Sequence, residues 1–455
     1  MSATPAGAGK GAWSRAQAFG LSRLVIIGTF ALALAGYWLV YHLQLPHWPP
    51  VRSDGEGYYA YLPAYLVYGD PTLRSVVTHH FLSNSEYGLF TPTGGFGLVL
   101  QSTGNWLDQY PIGEAVLLMP FFLVGHAIAL AEGLPADGYT GPELYAVGTG
   151  AAVYATLGLI ALWAVLRRWF TDAVVAATLI VIVFGTSLFH YITYDSMFSH
   201  GFSFAAVAVA MLCALRWFER PSSWWRALAF GLSVGAVVDL RITDVVMMPG
   251  VLLLGVGSLA ALRARCALVA NNPWRSLMVV VAGAACLVPQ LFTWWVATGH
   301  LIVDPYPPGQ GFDLAHPRLL ASLVDLAPHG LLPYAPALGL CVFGMAIAWW
   351  RRRDLALPVT VAFLPFWYLM STWYDWSFSQ GFGDRIYVNI LPFLALPLAL
   401  LFASVQRRWL RDAVGMVTAL LVLVTVVLMI AYWRGRLPGD GAASIQQYLS
   451  LLRHP

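Results

Sequence analysis

The sequence predicts an all-α fold: a polytopic transmembrane helical bundle whose outer loops, with short amphipathic helices, form a cap. Three observations predict it: the scarcity of charge, the length of the apolar blocks, and the placing of the basic residues. Of the 455 residues, 59% are hydrophobic and 10% are Asp, Glu, Lys or Arg, where a soluble domain carries roughly a quarter charged residues. A helix needs about 20 apolar residues to cross the hydrocarbon. Blocks of that kind are Leu24–Leu43, Glu143–Leu166, Ala173–His190, Phe202–Phe218, Leu277–Ala297 and Met416–Tyr432. Backbone polar groups left unpaired in lipid are costly, so such blocks must be helices. The pattern amounts to about eleven or twelve hydrophobic segments in one membrane domain over residues 20–433.

Basic residues orient the segments, because cytoplasmic loops hold the excess of Lys and Arg. Lys10, Arg15 and Arg23 precede the first span, so residues 1–19 form a cytoplasmic tail. Arg167 and Arg168, then Arg216, Arg220 and Arg226, then Arg263, Arg265 and Arg275, then Arg351–Arg353, then Arg407, Arg408 and Arg411 mark further cytoplasmic turns. The segments between them are hairpins that reach the periplasmic side and return, and residues 434–455 form a C-terminal tail. One stretch resists this scheme. Ile112–Leu130 has to enter and leave on one side, either as a re-entrant segment or paired with Tyr58–Tyr68. The first span is too long for a signal peptide core, and Tyr37–Tyr41 followed by Pro46 offers no small-residue cleavage site.

Several function classes fall away. The net charge of +3 comes from clusters between helices, which argues against a nucleic-acid partner. Cys213, Cys266, Cys286 and Cys341 lie in or beside apolar segments with no CxxC spacing, as packing residues do. No GxxxxGK[ST] loop is present, which argues against ATP-driven transport.

The chemistry is expected in the outer loops. The first runs over residues 44–110; others hold HYITYDSMFSHG, the stretch from Thr298 to Pro336, and STWYDWSFSQGFGDR. Loops longer than a dozen residues are usually functional or disordered, and these are too aromatic for disorder. Asp54 and Glu56 open the first loop, beside Gly55 and Gly57 and ahead of Tyr58, Tyr59 and Tyr61. Two carboxylates there suit a general base or one arm of a metal site. They equally suit an acidic helix start, with Asp54 as cap and Glu56 favouring the dipole. Arg241, with Asp239 and Asp244, interrupts an apolar run, and Arg385 enters a span from the outer side against the positive-inside trend. A guanidinium at either place suits a phosphate, which it can grip with two parallel hydrogen bonds, or an internal ion pair. His190 and His200 flank Asp195 without a metal-binding spacing, and Trp373–Trp376 fits an interfacial aromatic belt.

At this point the residues resemble a family. A first span followed by Ser53-Asp54-Gly55-Glu56-Gly57-Tyr58-Tyr59 looks like the polyprenyl-phosphate-dependent membrane glycosyltransferases of the C-type fold, which include the protein mannosyltransferases and aminoarabinose transferases. Gln109-Tyr110-Pro111-Ile112-Gly113 is similar to that family's YP element, Gly231–Arg241 to its small-residue helix ending in a basic residue, and Trp376 to Arg385 to its W…GFGxR element. The carboxylates are usually adjacent in the family, whereas Gly55 separates them here, and no lysine precedes the YP element. By this resemblance Asp54 is the catalytic base and Glu56 a supporting carboxylate. Arg241, Arg385, Tyr58, Tyr59, Tyr110, His200 and Trp376 are the candidate substrate-binding residues. The implied reaction is inverting transfer of a sugar from a polyprenyl-phosphate donor to a glycan, lipid or protein acceptor, at the periplasmic face of a bacterial inner membrane. The spacing of these residues singles out no metal ligands, and a divalent cation is the one cofactor expected to be compatible with the loop carboxylates. The competing expectations are a transporter or flippase of a lipid-linked sugar, and a polysaccharide polymerase or ligase.

Overall fold

The computed structural model describes residues 20–45, 49–83, 91, 93–95, 97–307, 309–327, 329–378, 381–438 and 444–453; the N-terminal tail, 1–19, lies outside them. The helices of eight or more residues are α1 (Leu21–His42), α2 (Asp54–Leu66), α3 (Gly113–Ala131), α4 (Gly141–Gly148), α5 (Gly150–Leu166), α6 (Asp172–Phe184), α7 (His200–Glu219), α8 (Trp224–Leu240), α9 (Leu259–Ala270), α10 (Pro273–Cys286), α11 (Val288–Thr298), α12 (Leu340–Arg351), α13 (Arg353–Ser371), α14 (Leu391–Ser404), α15 (Arg408–Trp433) and α16 (Ile445–Arg453). Among the described residues seven helices are long and apolar enough to cross a membrane. The pair α10 and α11, bent by 40° at Leu287, has the form of a broken span or a re-entrant loop, and three shorter apolar helices accompany them. The protein is a polytopic all-α membrane bundle.

Small residues let these helices approach where apolar area alone gives no drive between them. Gly231 and Gly235 of α8 face α10 so closely that a Cβ would lie 2.4 Å from the Val279 carbonyl oxygen and 2.5 Å from that of Gly283. Gly158 of α5 meets Ala205 of α7 in the same way.

The basic turns gather at one end of the bundle. Arg168 and Arg226 both pair with Glu219, at 2.6 and 3.3 Å, and Arg275 donates to the Ser222 carbonyl at 3.0 Å. The Arg265 guanidinium lies over the Phe218 ring and donates to the carbonyls of Leu252 and Leu254. α12 runs parallel to α14, with Cys341 against Leu394 and Gly344 against Pro397, so Arg351 and Arg407 share that end. Trp163 and Asp172 meet Ser22 there too.

The opposite end carries the cap, and α3 belongs to it. Gly113 abuts Asp239 and Leu240 at the end of α8, and Gly125 abuts Pro142 and Glu143 at the start of α4. The α4 start is level with the end of α1, where the Tyr37 hydroxyl donates to the Tyr145 carbonyl at 2.9 Å. Both flanks of α3 therefore lie on one side. It is an unbroken helix that packs antiparallel along α4 and the start of α5, with Gly125 against Pro142 and Leu118 and Phe121 against Gly150. The cap also contains a small antiparallel sheet, β1 (Gly94–Gly95), β2 (Leu98–Leu100) and β3 (Trp106–Asp108), with Leu98 opposite Asp108 and Leu100 opposite Trp106. Its turns hold Gly97 and Gly104 at positive φ, which glycine adopts without penalty. Within the C-terminal segment 434–455, α16 docks: Tyr448 donates to the Pro333 carbonyl and Leu451 is buried.

This arrangement has a direct test. Single cysteines at exposed positions of the first loop, of residues 299–333 and of 373–385 are expected to react with an impermeant thiol reagent in intact cells, and cysteines beside Arg168 or Arg353 are not. Labelling of Asp54 and Asp375 positions from opposite faces would break the single-site arrangement.

Candidate functional site

A cavity of about 770 Å³ opens at the capped end. Asp54, Tyr58, Tyr110, Arg241 and Arg385 line it, from four separate parts of the chain. Each is aimed by local structure.

Asp54 is the first residue of α2. The residue ahead of it, Ser53, sits at φ 52° and ψ −127°, a conformation that costs energy for a residue with a Cβ. The Asp54 side chain does not cap the helix. Its Oδ1 accepts from the Tyr110 hydroxyl at 3.0 Å and its Oδ2 from Arg385 Nη2 at 2.9 Å. Glu56 takes no part in this. Residues two apart on a helix point to different faces, so Glu56 turns inward, 2% exposed, and is not among the residues that line the cavity. The intervening glycines explain the DGEG spacing. A Cβ at Gly55 would lie 2.7 Å from Met197 Cβ, and one at Gly57 would lie 2.1 Å from the Tyr110 ring.

Tyr110 is set by the sheet. Gln109 donates its backbone N–H to the Gly97 carbonyl at 2.9 Å, and the Tyr110 N–H donates to Asp108 Oδ1 at 2.9 Å. Burial pushes the Asp108 carboxyl well above its ordinary range, and that backbone bond opposes the shift. Tyr58 packs its ring 4.7 Å from that of Tyr110 and donates to Ser199 Oγ at 3.0 Å.

Arg241 ends α8 in an extended conformation, where Ile242 and Thr243 follow. Its Nη1 donates to Ser199 Oγ at 3.1 Å, while its buried Nε has no hydrogen-bond partner among the described residues. Arg385 opens a short 3₁₀ turn, Arg385–Ile390, and stacks its guanidinium 4.8 Å from the Phe198 ring centre. A buried clamp joins the two arginine turns. Asn389 Nδ2 donates to Asp244 at 3.1 and 3.0 Å, and its Oδ1 faces His200 Nδ1 at 3.1 Å. His200 thus supports the site from behind and is not among the lining residues.

Tyr59 is buried too, donating to the Gly138 carbonyl, and Trp376 is packed away at 8% exposure; neither is a lining residue. The far wall consists of residues that sequence reading left unassigned: Gln290, Trp294, Tyr306, Gln310 and Phe312, with Trp373 and Tyr374 from the expected aromatic belt. Arg52 is engaged elsewhere, with Asp195 at 2.6 Å and the Tyr194 carbonyl at 2.9 Å. Asp195 also meets His190 Nε2 at 2.7 Å, and Trp433 Nε1 donates to His190 Nδ1 at 2.8 Å, which leaves the proton on Nε2. Burial favours a neutral Asp195, but Arg52 and His190 outweigh it and hold the carboxyl well below its usual range. Among the described residues, no three of the His, Cys, Asp and Glu side chains converge to hold a metal ion.

Gly57→Ala tests the packing that aims Tyr110. The added methyl is expected to displace the ring from Asp54, lowering stability by about 1–3 kcal/mol, as overpacking does. Thermal unfolding in detergent measures it, and a variant as stable as wild type would mean that Tyr110 has room to move.

No family model matches the chain, and no curated protein matches it in sequence. Its fold is similar to that of the archaeal oligosaccharyltransferase AglB from Archaeoglobus fulgidus, solved in complex with an inhibitory peptide and a dolichol-phosphate, with a TM-score of 0.51 and 11% identity over 91% of this chain and 56% of that one. The apo oligosaccharyltransferase of the same organism gives 0.50 and 11%, over 95% and 58%. ArnT from Cupriavidus metallidurans, in the apo state, gives 0.47 and 16%, over 93% and 76%. The chain thus spans little more than half the length of the archaeal oligosaccharyltransferases. It shares the fold of these archaeal oligosaccharyltransferases, the C-type fold that the sequence resemblance implies.

Proposed function

We propose that the protein is a membrane glycosyltransferase that moves a sugar, with inversion, from a polyprenyl-phosphate donor to a hydroxyl of a cell-envelope acceptor at the periplasmic face of the bacterial inner membrane. One observation carries this reading: a single helix-borne carboxylate, Asp54, shares a cavity with two arginines at the end of the bundle remote from the basic turns.

The chemistry follows from those groups. Each Asp54 oxygen accepts one hydrogen bond and keeps a lone pair. The acceptor hydroxyl gives its proton to Asp54 as its oxygen attacks the anomeric carbon. The bond from that carbon to the phosphate oxygen breaks on the opposite side, and the electron pair leaves with the phosphate, whose charge grows from about −1 to −2. Arg241, whose Nη1 donates to the neutral Ser199 hydroxyl, is the better placed of the arginines to take that charge, since Arg385 is engaged in holding Asp54. A phosphate is a good leaving group, so one base suffices.

A carrier of lipid-linked sugars would use the arginines and have no need of the base. Purified protein in detergent, given a synthetic polyprenyl-phosphate sugar and an envelope extract, is expected to release polyprenyl phosphate and glycosylate the extract. Donor that binds and is never cleaved would identify a carrier.

A further inference from the structure

We propose that the wall facing Asp54 is an acceptor subsite for a neutral glycan, so that the acceptor hydroxyl belongs to a saccharide chain. Its role as acceptor rests on the transferase reading above.

The first argument is charge. The lining includes the arginines 241 and 385 and the aspartates 54 and 375. The donor phosphate engages Arg241, and Arg385 is paired with Asp54. A phosphorylated or acidic acceptor would then find both arginines engaged and no further cation among the described lining residues to offset its charge. An uncharged acceptor meets no such cost.

The second is the form of the wall. Residues 311–318 and 371–374 pair along their backbones: Tyr374 N–H donates to Gly311 O at 2.9 Å, Asp313 N–H to Thr372 O at 2.7 Å and Arg318 N–H to Ser371 O at 2.9 Å, with Phe312 bridged to Trp373. The pairing fixes the two segments side by side. What the wall presents is side chains. The Trp373 ring centre lies 4.9 Å from Tyr306, 4.7 Å from Phe312 and 5.1 Å from Tyr374, and Tyr374 is half exposed. Ring faces carry the negative end of the aromatic quadrupole and attract the polarised C–H face of a pyranose. Gln290 and Gln310 beside them offer both donors and acceptors, as neutral vicinal hydroxyls require.

Ligand-observed saturation-transfer NMR on the purified full chain tests this without any need for turnover. The probes are uncharged linear tetrasaccharides of mannose, glucose or galactose, their phosphorylated counterparts, and a Ser/Thr-containing octapeptide. At least one neutral tetrasaccharide is expected to bind wild type and Asp54→Asn alike, with affinity reduced roughly tenfold in Trp373→Ala and Tyr374→Ala and largely kept in Trp373→Phe. Unchanged thermal stability of Tyr374→Ala, at an exposed position, keeps the result readable if Trp373→Ala folds poorly. Binding confined to the phosphorylated sugars or to the peptide overturns the inference, as does neutral-sugar binding that ignores both substitutions, or none at all. Donor cleavage assayed on the same samples separates the two readings. Cleavage that no neutral saccharide accelerates leaves the transferase and removes the glycan, whereas saccharide binding without cleavage does the reverse.

Discussion

Asp54→Asn is expected to abolish most sugar transfer while leaving the protein folded. A positioned general base contributes roughly 10²–10⁴-fold, and the amide cannot take up the acceptor's proton. The substitution otherwise preserves the surroundings. Asn is isosteric, its carbonyl oxygen can accept from Arg385, and its amino group can donate to the Tyr110 hydroxyl oxygen, so both present partners remain bonded. Asp54→Ala should behave differently. It leaves the Arg385 guanidinium, 10% exposed, without its carboxylate, and removing one partner of a buried pair is strongly destabilising. Glu56→Gln is the internal control, since Glu56 does not line the cavity and should change the rate of transfer little. Thermal stability and transfer from a synthetic donor are measured on the same preparations. A stable, fully active Asp54→Asn protein would remove the base from the mechanism, and with it the main reason to read an enzyme rather than a carrier.

The parts of this molecule that were legible in the sequence are those where one residue contradicts its surroundings. Arg241 and Arg385 stood out as charges against apolar segments and the positive-inside trend, and the structure brings both into the cavity with Asp54. The helical blocks were legible for the related reason that lipid permits few alternatives. The misplacement of Glu56 arose from treating DGEG as a pair of carboxylates. Helix geometry separates residues two apart, and the glycines serve close packing against Met197 and Tyr110. His200 and Trp376 were reasonable polar and aromatic candidates, but a buried histidine satisfied by Asn389 looks no different in sequence from one aimed at a ligand. The far wall was illegible because Gln290, Tyr306 and Trp373 become neighbours only through a bent helix pair and two paired loops, none of which carries a periodic signal.

Placement of α3 shows how far positive-inside reasoning extends. Length and apolarity alone make Gly113–Ala131 a span. Counting basic turns puts both of its flanks on one side if Arg167 and Arg168 are cytoplasmic, and in the structure Gly113 meets the end of α8 and Gly125 the start of α4. The consequence for the site is direct. The helix starts directly after the YP element, whose Tyr110 and Pro111 line the cavity.

Arg241→Ala is expected to cost about 10²–10³-fold in transfer, the range observed when one donor to a developing oxyanion is removed. The loss should fall on kcat as well as on KM for the donor, because the phosphate gains charge as the sugar leaves and its attraction to Arg241 grows with it. Arg241→Lys should recover only part, since an ammonium is a point charge without the guanidinium's planar fork and cannot grip phosphate with two parallel hydrogen bonds. Arg385→Ala makes the informative comparison. Its partner is Asp54, so its loss should disturb the base, with a smaller effect on donor affinity than Arg241→Ala. Kinetics with donor and acceptor varied separately, on proteins of matched thermal stability, resolve the two. Wild-type kcat and donor KM in Arg241→Ala would show that the leaving phosphate is held by another group, and Arg385 would then have to release Asp54 during turnover to take that place.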